Sequence, residues 1–139
     1  WPDDWQESWR GARAAARDGD VTAALDLLRG DPIFAGVRRD AAVAARVAEM
    51  QRGVDVEVLR GAETDAGEPT LERLARCTCP VLVVSPALDA PQFRAAAAAI
   101  AERAPNARLV DVERAGHFAN LEQPAVVTDT LQEFLAACA

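Results

Sequence analysis

The sequence predicts an α/β protein with a helical first half and a second half in which strands alternate with helices. Three observations carry this reading. Val81-Leu82-Val83-Val84 is a short continuous apolar run after Pro80, the pattern of a parallel strand covered on both faces. Arg108-Leu109-Val110-Asp111-Val112 alternates apolar and polar residues with the period of a strand. Between them, Phe93 through Ala104 is an Ala-rich helical stretch closed by Pro105-Asn106. The order β-loop-α-β-loop-α makes two parallel strands joined by a right-handed helical crossover. The run 81–84 has no polar face, so it expects a further strand beside it and helices above and below.

From the beginning of the chain, Trp1, Trp5 and Trp9 are spaced four apart and share one helix face. Pro2, Asp3 and Asp4 suit a first helical turn, the run Gly11 to Arg17 carries the helix on, and Gly19 ends it. Asp20 caps a second helix with Val21, Ala24, Leu25 and Leu28 on one side and Gly30 as its stop. Asp31-Pro32 reads as another cap followed by proline at the first helical position. Asp40 caps a longer helix to Arg52, with Val43, Val47 and Met50 as its stripe and Gly53 just beyond. Val54 to Val58 alternates like a strand within this helical context, and Gly61 to Pro69 reads as an acidic loop. Thr70 caps a short helix, Leu71 to Arg76. Strand 81–84, the loop Ser85 to Pro91 bearing Asp89, the helix and strand 108–112 follow. Glu122 and Pro124 then open an amphipathic segment ending at Phe134 and Leu135.

Composition narrows the function classes. The chain has 139 residues, half of them hydrophobic, which is enough for an ordinary domain with a core. Its net charge of −7 and the lack of any basic run make nucleic acid and anionic membranes poor partners. No apolar run approaches the roughly 18 residues that a transmembrane helix needs. The start at Trp1-Pro2-Asp3, without an initiator methionine or a secretory signal, reads as that of a processed or excised piece. Cys77, Cys79 and Cys138 are odd in number and show no disulfide framework, which fits a reducing cytoplasm. Cys77-Thr78-Cys79 has the spacing of half a metal site, but there is no second pair and no second histidine to complete one.

The sole histidine, His117, lies in Glu113-Arg114-Ala115-Gly116-His117-Phe118-Ala119-Asn120-Leu121-Glu122-Gln123-Pro124, where a strand gives way to a helix. Loops at the carboxyl ends of parallel strands are where α/β proteins place their chemistry. Asp89 follows the first strand and His117 the second, so both loops open on one sheet edge. A carboxylate on one ring nitrogen fixes the tautomer and stabilises the imidazolium formed when the other nitrogen takes a proton. The same residues also fit a surface aspartate and a histidine bonded to backbone. Asp111 and Glu113 are nearer His117 in sequence, but Asp111 falls within the strand and is a weaker partner for the ring.

Cys79-Pro80-Val81-Leu82-Val83-Val84, then Asp89, then Pro105 to Val110, then Gly116-His117 with Glu122 and Pro124, resembles the carboxyl-terminal part of an α/β-hydrolase. The likeness is to its esterase, lactonase and enol-lactonase branch and covers about residues 71–137. In that family the acid follows the seventh strand and the histidine the eighth, in a Gly-His-x-x-x-x-Glu-x-Pro setting. Residues 1–70, including Gly30-Asp31-Pro32-Ile33-Phe34, resemble the helical cap inserted after the sixth strand. Two features depart from the pattern. Ser85-Pro86-Ala87-Leu88 stands where the family usually has a glycine before the acid, and the Gly-x-Ser-x-Gly nucleophile elbow is absent. Ser8, in a helix, and Ser85, at a strand end without flanking glycines, are not nucleophiles.

The resemblance implies residues 1–70 as cap and 71–139 as the carboxyl-terminal part of the core, completed by an amino-terminal half. That half, a separate chain, would carry the nucleophile serine and pair with this one as a heterodimer. Asp89 would be the triad acid and His117 the base, acting on an ester, lactone or thioester with no metal or organic cofactor. Phe118 beside the histidine would wall the pocket, and Trp5 and Trp9 from the cap would either touch the acyl group or simply pack the cap. The alternative is a binding or interaction module that keeps the scaffold without chemistry.

Overall fold

A computed structural model describes residues 3–52 and 70–138, with side chains described for 9–52 and 71–138. The expected strand at Val54 to Val58 and the loop from Gly61 to Pro69 lie outside the described residues. The chain divides into two compact units, Trp1–Thr64 and Asp65–Ala139.

The first unit is helical. Helix α1 spans Asp3–Arg17, α2 Val21–Gly30 and α3 Ala41–Gln51. Helices α1 and α2 form a hairpin whose turn passes through Gly19 at φ +83°, a left-handed conformation that glycine adopts without strain. Ala12, Ala16 and Ala24 are fully buried, with Leu28 close behind. Asp20 accepts from the Ala23 N–H at 2.9 Å, and Asp40 accepts from Ala42 and Val43 at 2.8 and 3.2 Å, so both expected caps are present. Asp31 also caps, through Ile33 N–H at 3.0 Å, but the element it opens is a single 3₁₀ turn, Pro32–Phe34, followed by another, Val37–Arg39. These tight turns tuck Ile33, Phe34 and Val37 inward, where with Val47 they are buried.

The second unit holds the expected α/β pattern. Helix α4 (Thr70–Leu74) leads to strand β1 (Val81–Pro86), helix α5 (Pro91–Arg103), strand β2 (Ala107–Val112), helix α6 (Ala119–Glu122) and helix α7 (Pro124–Ala137). The two strands pair in parallel, with Val81 opposite Ala107 and Pro86 opposite Val112. Helix α5 begins at Pro91, two residues before the expected start, because proline suits a first turn whose N–H groups have no helical partner. The expected last amphipathic segment is the single helix α7, and the short helix α6 precedes it. Gln123 at φ −136°, ψ 60° breaks the chain between them, and Pro124 restarts it. A small core of Val112, Ala115, Ala119 and Val127 packs with Val84, joining β1, β2 and the last two helices. Among the described residues no helix is long and apolar enough to cross a membrane.

Candidate active site

The carboxyl ends of β1 and β2 continue into loops that are bonded to each other. Ala87 N–H donates to the Val112 carbonyl at 3.0 Å, and Leu88 N–H to the Ala115 carbonyl at 2.9 Å. The parallel pairing is thus prolonged past the strand ends, and it carries Asp89 and His117 to the same place. Arg114, at φ +59°, takes the left-handed turn that starts the histidine loop. A non-glycine residue there carries a small conformational cost, which the surrounding loop contacts must hold in place.

His117 Nδ1 lies 3.1 and 3.0 Å from Oδ1 and Oδ2 of Asp89. A carboxylate offers only acceptors, so this contact requires Nδ1 to carry a proton. Nε2 is then the nitrogen able to accept one. The Asp89 side chain is 5% exposed and that of His117 30%. Asp89 Oδ1 also accepts from the Ala90 N–H at 2.7 Å, which locks the carboxylate at the mouth of α5. The acid is therefore buried and fixed, while the base remains accessible.

Glu122 braces the histidine loop from its other side. Its Oε2 accepts from the Gly116 N–H at 2.9 Å and its Oε1 from the Phe118 N–H at 3.3 Å. These two amides flank His117, so one carboxylate grips the backbone on both sides of the ring. Phe93 of α5 covers the imidazole, with ring centroids 4.4 Å apart and planes tilted by 52°. Phe118 meets it edge-on at 5.6 Å. Neither the grip of Glu122 nor the cover of Phe93 follows from sequence spacing. Glu122 was visible in the histidine motif, as the glutamate after Gly-His, without its role.

Asp89, Phe93, His117 and Asn120 line a cleft of about 450 Å³, together with Val83, Val84, Pro86 and apolar residues of α5 and α7. Val83 and Val84 are successive strand residues and point to opposite sides of β1, yet both line the cleft, and no residue of β2 does. The cleft therefore runs along the edge of β1 that β2 leaves unpaired. Phe118 is half-buried and is not among the lining residues. Trp9 is half-buried within the first unit, and the side chain of Trp5 lies outside those described. Asp111, the other acid near the histidine, is exposed on β2. Among the described residues, no three His, Cys, Asp or Glu side chains are grouped as metal ligands.

Comparison with known proteins agrees with this architecture. The model of the alpha/beta hydrolase family matches residues 1–130. The solved structure of MenH from S. aureus superposes with a TM-score of 0.76 at 18% identity, over 96% of this chain and 53% of that one. The chain thus spans about half the length of that structure. No curated protein matches it. A family match over nearly the whole sequence, on a chain with this strand order, places the protein in the alpha/beta hydrolase family.

Proposed function

We propose that this chain is the acid- and base-bearing carboxyl-terminal part of a serine-type hydrolase acting on an ester, lactone or thioester. The contact of His117 Nδ1 with both Asp89 oxygens is the observation that carries the reading. In this mechanism Nε2 takes the proton of a serine hydroxyl as the oxygen attacks the acyl carbon. The buried carboxylate of Asp89 stabilises the imidazolium so formed. The imidazolium then returns the proton to the leaving group, and the cycle repeats with water as nucleophile.

The serine and the oxyanion donors come from an amino-terminal half of the fold, since no Gly-x-Ser-x-Gly occurs in residues 1–139. The unpaired edge of β1 and its apolar cleft support such a completion. An open parallel edge with apolar walls is stable when another strand covers it. In this reading residues 1–70 are the cap, and Trp5 and Trp9 are its candidates for touching the acyl group.

The test is hydrolysis of nitrophenyl esters, thioesters and lactones by the assembled protein. His117→Ala and Asp89→Asn should each lower kcat by about four orders of magnitude. Full turnover in His117→Ala would remove the base assignment. Saturable binding of the same compounds without turnover in the unaltered protein would favour the non-catalytic binding module.

A further inference from the structure

A second chemical feature stands at the opposite end of β1, before the strand begins. Cys77 and Cys79 bring their sulfurs within 3.1 Å, with Cys79 exposed and Cys77 half-buried. The six-residue connection between α4 and β1, residues 75–80, is anchored around both. Cys77 N–H donates to the Leu74 carbonyl at 3.0 Å, at the end of α4. The Thr78 carbonyl between the cysteines accepts from Asn106 Nδ2 at 2.7 Å, and the Val81 N–H donates to the Asn106 carbonyl at 3.0 Å. Pro80 fixes a further backbone angle. These bonds fix the backbone from which both thiols project.

We propose that Cys77 and Cys79 form a redox-active dithiol that closes to an intramolecular disulfide by exchange with a small-molecule disulfide. One protein thiolate attacks the external disulfide, and its sulfur–sulfur bond breaks to release one thiol. The second protein thiol loses its proton and attacks the mixed disulfide, releasing the other half. The balance is one protein dithiol and one external disulfide giving one protein disulfide and two thiols. Two electrons pass from the cysteines to the reagent.

The geometry favours this chemistry over a metal. A zinc ion at about 2.3 Å from each thiolate, in tetrahedral geometry, holds its sulfurs about 3.8 Å apart. The pair is closer than that, and no third ligand is grouped with it among the described residues. Preorganisation makes the second exchange intramolecular, so it outruns the arrival of another external molecule. Cys79 is pushed above its ordinary thiol range by the hydrogen bond with Cys77 and then by the charge of that neighbour. Since the thiolate is the attacking form, closure should be slow near neutrality and accelerate as pH rises through the alkaline range. Cys138, exposed just past α7, forms no such pair among the described residues and serves as the internal comparison.

The experiment exposes the full chain to oxidised glutathione, blocks remaining thiols with an alkylating agent and reads intact mass and peptide maps. The expected product has lost two hydrogens, resists alkylation at Cys77 and Cys79, and regains both thiols on reduction. Cys77→Ser and Cys79→Ser, which change an exposed loop without touching its backbone anchors, should each instead accumulate a lasting glutathione adduct. Persistent adducts at Cys77 or Cys79 in the unaltered chain, or bridges between two chains through these residues, would overturn the proposal. So would full alkylation of both cysteines after exposure to the disulfide at raised pH.

Discussion

The helical unit and the strand-bearing unit are held by different kinds of contact. In the first, the helix caps are local, and one longer contact, Arg29 Nε donating to Gln51 Oε1 at 2.7 Å, ties α2 to α3. Asp20, Asp31 and Asp40 each accept an N–H two or three residues ahead. In the second, the polar contacts that shape the site reach across the sequence. Asp89 meets His117 across 28 positions, and the loops after β1 and β2 exchange backbone hydrogen bonds. A local cap costs little chain entropy to form and contributes by itself, whereas a constellation assembled from distant segments gains its value when all members are in place. The lesson is that losses in the first unit should register as stability and losses in the second as activity.

Three substitutions sharpen this contrast beyond the loss of the dyad itself, which is the largest effect expected. Glu122→Ala removes the acceptors of the Gly116 and Phe118 amides. Leaving partly buried donors unsatisfied costs about 2 kcal/mol, and much of that should appear as misplacement of His117. Turnover of the assembled enzyme is expected to fall roughly thirtyfold, with KM little changed and partial recovery in Glu122→Gln, which keeps one oxygen acceptor. If stability falls by the full amount while turnover holds, the grip is structural and not positional.

Asp40→Ala removes the cap of α3 and should cost about 1 kcal/mol, read as a lower midpoint of urea unfolding. The His117–Asp89 dyad should be untouched, so turnover under saturating substrate should be unchanged. A large loss of turnover would break the separation between the units. The smallest effect belongs to Arg108→Ala, which deletes a pair with Glu133 at 3.5 Å between side chains 52% and 68% exposed. Solvent screening limits such a pair to about 0.5 kcal/mol or less, so the melting temperature should barely move.

What the sequence reveals follows the same division. Helix caps are written in three or four neighbouring residues, and Asp20 and Asp40 act as their spacing predicts. Both strands are legible in the apolar run 81–84 and the pattern at 108–112, although burial follows only in part: Val83 and Val112 are buried while Leu109 is exposed. The meeting of Asp89 with His117 follows from parallel pairing, since each residue lies just beyond a strand end. Phe93 over the imidazole is not legible, because its place depends on how the crossover helix turns as it leaves the Asp89 loop. The two-fold grip of Glu122 depends on a left-handed Arg114 and on the break at Gln123, neither of which any periodicity announces. At Asp31 the cap is legible but the helix it opens is not. A single 3₁₀ turn suffices to bury Ile33 and Phe34.

The central claim is that Asp89 holds His117 with its proton on Nδ1, so that Nε2 is ready to take one from a nucleophile. Because His117 is the only histidine of the chain, its imidazole nitrogens can be read without ambiguity. Long-range proton–nitrogen correlation on chain labelled with ¹⁵N-histidine, at a pH where the ring is neutral, distinguishes the two tautomers. The account predicts the Nδ1–H form in the unaltered protein and a shift towards Nε2–H in Asp89→Asn. An Nε2–H ring that is indifferent to Asp89→Asn would contradict it.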